Sequence, residues 1–434
     1  MRSNQFSSKL PLLMLALACF TLFSCTKKAT VTGVVTVEPP TSPPTPDPTP
    51  DPPVEPTITN GFVHPGILNT QEQIDFFIEK VKAGQQPWKD GYEKLKDSPY
   101  SSLSYKHLPY ISVDCGSYNN PNVGCDQQVL DGMAVYCQSL MYLITKDEQY
   151  AISATKILMD WSNTYQKNTK SNSRLVVSWA TPWYTNGAEI LRYNYPGWKK
   201  ENTDSFNAML DKFLPYVTDD TMSGNNWVLS SIEAHIAIAI FKSDRTMFNA
   251  AVDRWKLRTK TYIFQSSDGP IPITIPGKTS DETEIKWKNK ATSTGYVDGM
   301  SMETCRDLSH MNLGFNSMIY AAESAWNQGT DLFSLEKKRL TDFMELHGSW
   351  MTGSVAVPSN VCAGVVKVTE SSATGIAPPK GGGQSAWEIA YSHLHDRLRI
   401  PLPYSAAMID HQRPRGIFKW VGKPETLTHA GWTF

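Results

Sequence analysis

Residues 295–315 read GYVDGMSMETCRDLSHMNLGF. Within them Glu303, Arg306 and His310 are three and four residues apart, so a helix through this stretch puts all three on one side. Met302, Cys305, Leu308 and Met311 then fall on the other side as core material. A guanidinium clamps a carboxylate, and an imidazole exchanges protons near neutral pH. The set therefore suits an acidic substrate whose proton must be moved. A buried structural ion network is the competing explanation of the same spacing.

Two further segments carry polar faces amid apolar sequence. In GNNWVLSSIEAHIAIAIF, Asn226, Ser230 and Glu233 share a side, while His235 falls roughly opposite and reads as a core histidine. In QSAWEIAYSHLHDRL, Gln384, Glu388, Tyr391 and His395 align. Three such faces in one chain point to a shared polar cleft. Trp179, Trp183 and Tyr184, in SWATPWYTNGAEILRY, stand just ahead of a helix expected over 185–193 and could offer ring faces to sugars or staple the helix end.

The elements that position these groups read as helices. Apolar residues recur at helical spacing over 69–83, 128–143, 149–165, 185–193, 204–214, 227–241, 246–261, 302–327, 331–351 and 385–398. Short strands are expected only at 271–275, 355–357 and 365–368. Gly/Pro-rich stretches at 266–277 and 377–383 read as rim loops. Helical hairpins without a strict repeat predict an all-α fold, either an α/α toroid with a cleft where its inner helices converge or a helical-repeat array.

Ahead of that body, residues 1–25 combine a basic start, an apolar run over 10–23 and LFSC ending at Cys25. This is the pattern of a lipoprotein signal peptide, with Cys25 as the lipidated residue. The apolar run is short of the roughly 20 residues a membrane span needs. Residues 26–60 contain PPTSPPTPDPTPDPPVEP, a semi-rigid spacer. The folded body is expected over 61–434, and a lipid-anchored protein facing the periplasm of a bacterial envelope is the expected location. The formal net charge of −1 excludes broad electrostatic binding of nucleic acid. Past Cys25 the cysteines are Cys115, Cys125, Cys137, Cys305 and Cys362. Their odd number leaves at least one free thiol, and Cys115 with Cys125 is the best pair. No CxxC or HExxH spacing suggests a dedicated metal site.

The stretches HPGILNTQEQID, YLITKDEQYAISATKILMDWS, NNWVLSSIEAHIAIAIF, YVDGMSMETCRDLSH and SAWEIAYSHLHDRLRIPLPY, in that order, resemble the alginate lyase superfamily. The resemblance runs from His64 to about Pro414. It implies an α/α toroid and a polysaccharide lyase cleaving alginate or another uronan by β-elimination without metal or other cofactor. Such an enzyme neutralises the substrate carboxylate, removes the C5 proton and protonates the leaving 4-oxygen. Asn226 matches the family's neutralising asparagine, with Asn225 before it and Trp227 where many relatives have histidine. Arg306 matches the arginine that meets the carboxylate. The tyrosine usually found soon after that arginine is missing, so the proton-handling role stays open between Tyr296, Tyr391 and His310, with Glu303 orienting Arg306 or His310. Asn225, Trp179, Trp183, Tyr184, Glu303, Tyr391 and His395 are the expected substrate-binding set. The expected partners are an acidic polysaccharide and the lipid anchor, with the chain a monomer.

Two other readings compete. A glycoside hydrolase on the same toroid would need two facing carboxylates, for which Glu233, Glu303 and Glu388 are the candidates. A glycan-binding lipoprotein without catalysis would need the aromatic residues and not the Asn226, Arg306 and His310 set.

Overall fold

Hydrophobic periodicity is strongest in the middle of the chain, and there the helices are longest. The computed structural model describes residues 57–219, 225–289, 291–363, 386–413 and 421–434. Cys25, Gln384 and the strand expected at 365–368 lie outside them, as does the rim loop at 377–383. The described chain opens with a hairpin of β1 (Thr57–Thr59) and β2 (Phe62–His64), so regular structure begins four residues ahead of the expected 61. Helices α1 (Gln71–Lys82) and α2 (Trp88–Lys96) follow. Thr70 caps α1 in a reciprocal box with Gln73.

The body is a double row of helices. The inner row consists of α3 (Cys125–Thr145), α5 (Ser173–Asn194), α7 (Asn226–Phe241) and α10 (Leu308–Trp326), each packed on the next. Against its outside lie α4 (Glu148–Thr164), α6 (Lys200–Val217) and α8 (Arg245–Tyr262). Sequence chemistry explains the turns between them. Lys146 takes a left-handed φ of 58° just past α3, and the Asp147 side chain accepts from Gln149 N to start α4. At Gly187 in α5 a Cβ would come within 2.7 Å of Val135 and 3.0 Å of the Tyr136 nitrogen, so α3 and α5 meet almost backbone to backbone.

The remaining helices are α9 (Ser280–Lys288), α11 (Leu332–Leu335), α12 (Lys337–Met351), α13 (Trp387–Tyr391), α14 (Pro403–Gln412) and α15 (Glu425–Thr428). Of these, α13 continues into a π turn, Ser392–Arg397. All residues of α7 except Trp227 are buried, as expected of a helix that is apolar nearly all round. The fold is the helical α/α toroid expected from the sequence, with few short strands.

Several boundaries differ from the sequence expectation. Residues 302–306 form turns, and α10 begins only at Leu308, capped by the extended Asp307. Glu303, Arg306 and His310 are thus brought together by a tight turn running into a helix, not by one helical face. Helix α5 starts at Ser173, not at 185, despite Pro182 inside it, so Trp179, Trp183 and Tyr184 are mid-helix residues. Segments 271–275 and 355–357 form no strands. The strands present are β3 (Ser112–Cys115), β4 (Asn122–Val123) and β5 (Lys167–Thr169), in the order β4-β3-β5, with β3 antiparallel to β4 and parallel to β5. This small sheet holds two turns at the mouth of a hollow. One of them, 116–124, is closed by the expected Cys115–Cys125 disulfide. A second disulfide, Cys305–Cys362, was not foreseen, and Cys137 is a buried free thiol.

Candidate active site

A hollow of about 570 Å³ opens where the N-terminal ends of α3, α5, α7 and α10 come together. Arg306 and His310 line it with Trp179, Trp227, Tyr118 and Asp126. The side chains of Arg306 and His310 keep 29% and 33% of their surface exposed, enough to meet a ligand while held from behind.

What holds Arg306 is Glu303. Its buried carboxylate accepts from Arg306 Nη1 at 3.0 Å, from Asn226 Nδ2 at 2.7 and 3.0 Å, and from the Asn226 backbone N–H at 3.3 Å. Burial raises the Glu303 pKa, against the opposing pull of Asn226 and Arg306. Asn226 therefore spends its amide N–H groups on Glu303 and lies beneath the hollow, not on its wall. Asn225 caps α7, its Oδ1 accepting from Trp227 N at 3.2 Å.

What holds His310 is Asp307. The Asp307 carboxylate accepts the His310 backbone N–H and lies 2.8 Å from ring Nδ1 through both its oxygens. Burial would raise the Asp307 pKa, but the hydrogen bonds and charge of His310 bring it below the usual carboxylate value. With Nδ1–H directed at Asp307, Nε2 is the ring nitrogen left to exchange a proton.

The turn itself is fastened on three sides. Met302 N donates to Tyr262 O at 2.9 Å, the Thr304 hydroxyl meets His347 Nε2 at 3.0 Å, and Cys305 is bonded to Cys362. Among the described residues, no group of three or more His, Cys, Asp or Glu side chains converges as a metal site would.

The other expected site residues lie elsewhere. Tyr296 does not line the hollow. Its ring packs by Phe264 and Trp287, its hydroxyl is shielded without a hydrogen-bond partner, and burial with the nearby Glu284 pushes its pKa to about 12. That environment opposes the phenolate a tyrosine base requires. Tyr391 and His395 stack on each other 4.5 Å apart around the π turn, with His395 Nδ1 bonded to Asp396, and neither lines the hollow. Trp183 and Tyr184 are fully buried between α3 and α5, so only Trp179 of that aromatic group faces the hollow. His235 is buried, its Nδ1 3.2 Å from Arg254.

A sequence model of the family described as alginate lyase matches residues 78–276. Among solved structures, alginate lyase A1-III from Sphingomonas species A1 superposes with a TM-score of 0.52 at 12% identity, over 84% of this chain and 97% of that one. A histidine-to-alanine variant of alginate lyase A1-III complexed with tetrasaccharide gives 0.50 at 12% identity, over 82% and 93%. The chain resembles the alginate lyases. No curated protein sequence matches it.

At such identity the alginate-lyase likeness fixes the fold, and the site must be read from this chain's own residues. Sequence reasoning missed Asp307, Tyr118 and the wall formed by Trp227. Asp307 was legible as a cap three residues before His310. In the sequence Trp227 reads only as a departure from the family's histidine, and the fold shows it as the one residue of α7 that is not buried. Tyr118 carried no signal: it is fully exposed on a left-handed turn, φ 53°, whose position depends on the disulfide and the β3–β4 pairing.

Proposed function

We propose that this protein is a polysaccharide lyase that cleaves a uronic-acid polymer by β-elimination. The observation that carries the reading is one hollow in which Arg306, braced by Glu303, and His310, oriented by Asp307, stand beside the indoles of Trp179 and Trp227. Arg306 pairs with the substrate carboxylate and lowers the cost of charge building up at C5. His310 Nε2 takes the C5 proton, the electron pair forms the C4–C5 double bond, and the bond from C4 to the glycosidic oxygen breaks. His310 returns its proton to that oxygen when both lie on one face of the sugar. When they lie on opposite faces, the Tyr118 hydroxyl at the rim supplies it. The indole faces hold the ring.

The three candidates for the two carboxylates a hydrolase would need are otherwise engaged. Glu233 is buried against Lys423 at 2.6 Å, Glu388 is clamped by Arg413 at 2.7 Å, and Glu303 lies under Arg306. We further propose that Cys25 carries a lipid and that the spacer sets the body off an envelope membrane. Incubating the full-length protein with mannuronan, guluronan and glucuronan while following the near-ultraviolet absorbance of an unsaturated uronate tests the activity. A rise with any polymer supports the reading and names the substrate. Binding with a flat trace would leave a glycan-binding lipoprotein in its place.

A further inference from the structure

Both disulfides found among the described residues stand in walls of the hollow of Arg306 and His310. Cys115–Cys125 closes the segment that supplies Ser117, Tyr118 and Asn119 to the lining, and Asp126 follows directly after it. The Cys115 carbonyl also accepts from Asn172 N at 2.8 Å, so the same bridge steadies the neighbouring turn. Cys305–Cys362 holds a second wall, with Cys305 next to Arg306 in the chain.

Neither bridge joins one helix to another. Cys115 ends β3 and Cys125 opens α3, while Cys305 lies in a turn and Cys362 in a bend. The inner helices are held by apolar packing instead, through fully buried residues such as Leu229, Ile232, Ile236 and Phe315. Without sulfur, little holds the two walls. The 116–124 turn keeps the short β3–β4 pairing and the hydrogen bonds of exposed Asn119 and Asn122 to Asp126, at 3.2 and 2.8 Å, which compete with water. The 302–306 turn keeps its contacts at Met302 and Thr304 and loses the one adjoining Arg306. Cys362 itself sits at φ 53°, a left-handed conformation that a non-glycine residue keeps only where its surroundings impose it.

We propose that oxidation assembles the site: the reduced chain folds its helices with both walls loose, and the two bridges then set Arg306 and Tyr118 in place. For each bridge, a cysteine thiolate attacks a disulfide oxidant and forms a mixed disulfide, and the partner thiolate displaces the oxidant's second sulfur. Two thiols lose two protons and two electrons and become one S–S bond, while the oxidant leaves as two thiols. Cys137 takes no part, being buried twelve residues beyond Cys125 in α3. That is about 18 Å along a helix, well past the roughly 7 Å between Cα atoms that a disulfide spans. All four bridging cysteines are buried, so the bridges are shielded from thiols once formed. A chain in a reducing compartment is thus folded and silent, and it gains its site in an oxidising one. This rests on the lyase reading and adds to it a control of the same site.

The test synthesises the full-length protein in a cell-free reaction with dithiothreitol and follows a portion as glutathione disulfide replaces the reductant. Alkylation with peptide mass spectrometry reads the state of each cysteine. The reduced protein should keep its helical far-ultraviolet circular dichroism yet show kcat/KM on the preferred uronan about 100-fold below the oxidised one, the loss that a misplaced group brings. Activity should return as the four cysteines pair, and Cys137→Ala should behave as wild type does. Hydrogen exchange gives a readout independent of turnover: 116–124 and 299–307 should be protected only after oxidation, with α7 and α10 protected in both states. If the protein cleaves uronans equally well with all four cysteines shown reduced, the control is overturned and the lyase reading stands. Equal protection of both turns in the two states overturns it whether or not any uronan is cleaved. Loss of the helical signal on reduction overturns it too, since the bridges would then hold the fold. If the oxidised protein cleaves no uronan, the lyase reading falls, and protection gained by both turns on oxidation still supports assembly of the hollow by the bridges.

Discussion

At the scale of single residues, two paired units divide the proposed chemistry: Glu303 with Arg306, and Asp307 with His310. Arg306→Ala should lower kcat/KM by about 100-fold or more, because it removes a charge contact that strengthens in the transition state. Arg306→Lys should recover only part of this, since an ammonium lacks the fork that reaches both Glu303 and a carboxylate. Steady-state kinetics on the preferred uronan read both. Tyr296→Phe is expected to stay within about twofold of wild type in the same assay, because that phenol is shielded away from the hollow. A large loss there would return Tyr296 to the mechanism. Arg306 and His310 were legible in the sequence from residue type and spacing. The placement of Asn226 under Glu303 was not, because an amide that neutralises a substrate and one that braces a glutamate look identical in a sequence.

At the scale of elements, the turn 299–307 decides whether the site exists. Gly299 there has φ 86°, and a Cβ would come within 2.3 Å of the Asp342 carbonyl oxygen, so Gly299→Ala should destabilise the protein and displace the turn. The Cys305–Cys362 bridge spans 57 residues, and chain-entropy reasoning gives it about 4 kcal/mol. A Cys305→Ala, Cys362→Ala double variant should show a lower Tm in calorimetry and a reduced kcat.

His347, which meets Thr304 of the same turn, has its pKa lowered to about 4 by burial. The unfolded chain takes up this proton near pH 6.5, whereas the fold resists it until about 4. Stability should therefore be full above pH 6.5 and fall as the pH drops towards 4, by about 3 kcal/mol at most from this group. Replacing His347 by Gln should flatten that part of a Tm–pH profile. Long helices such as α3, α7 and α8 were readable from their periodicity. The turn was not, since its shape comes from Tyr262, His347 and Cys362, all distant in sequence. The early start of α5 was hidden by Pro182, a helix breaker that the packed interior tolerates.

At the scale of the whole molecule, the last described segment, 421–434, is bound into the centre of the toroid. Lys423 is buried against Glu233 at 2.6 Å and lies 3.8 Å over the Tyr320 ring, Tyr320 donates to Glu425 at 2.6 Å, and His429 Nε2 lies 3.2 Å from Leu68 O. These contacts join α7 and α10 to the chain just ahead of α1. A protein ending at residue 420 would leave Glu233 buried without its cation, which costs several kcal/mol, and expression of that truncation should give insoluble or protease-sensitive material. Translation delivers residues in order, so 421–434 leave the ribosome after every helix they fasten. The nascent chain must then wait, its central carboxylate uncompensated, until this late segment has been made. A polypeptide built this way cannot close its core until that late segment is free to fold back onto helices made long before it.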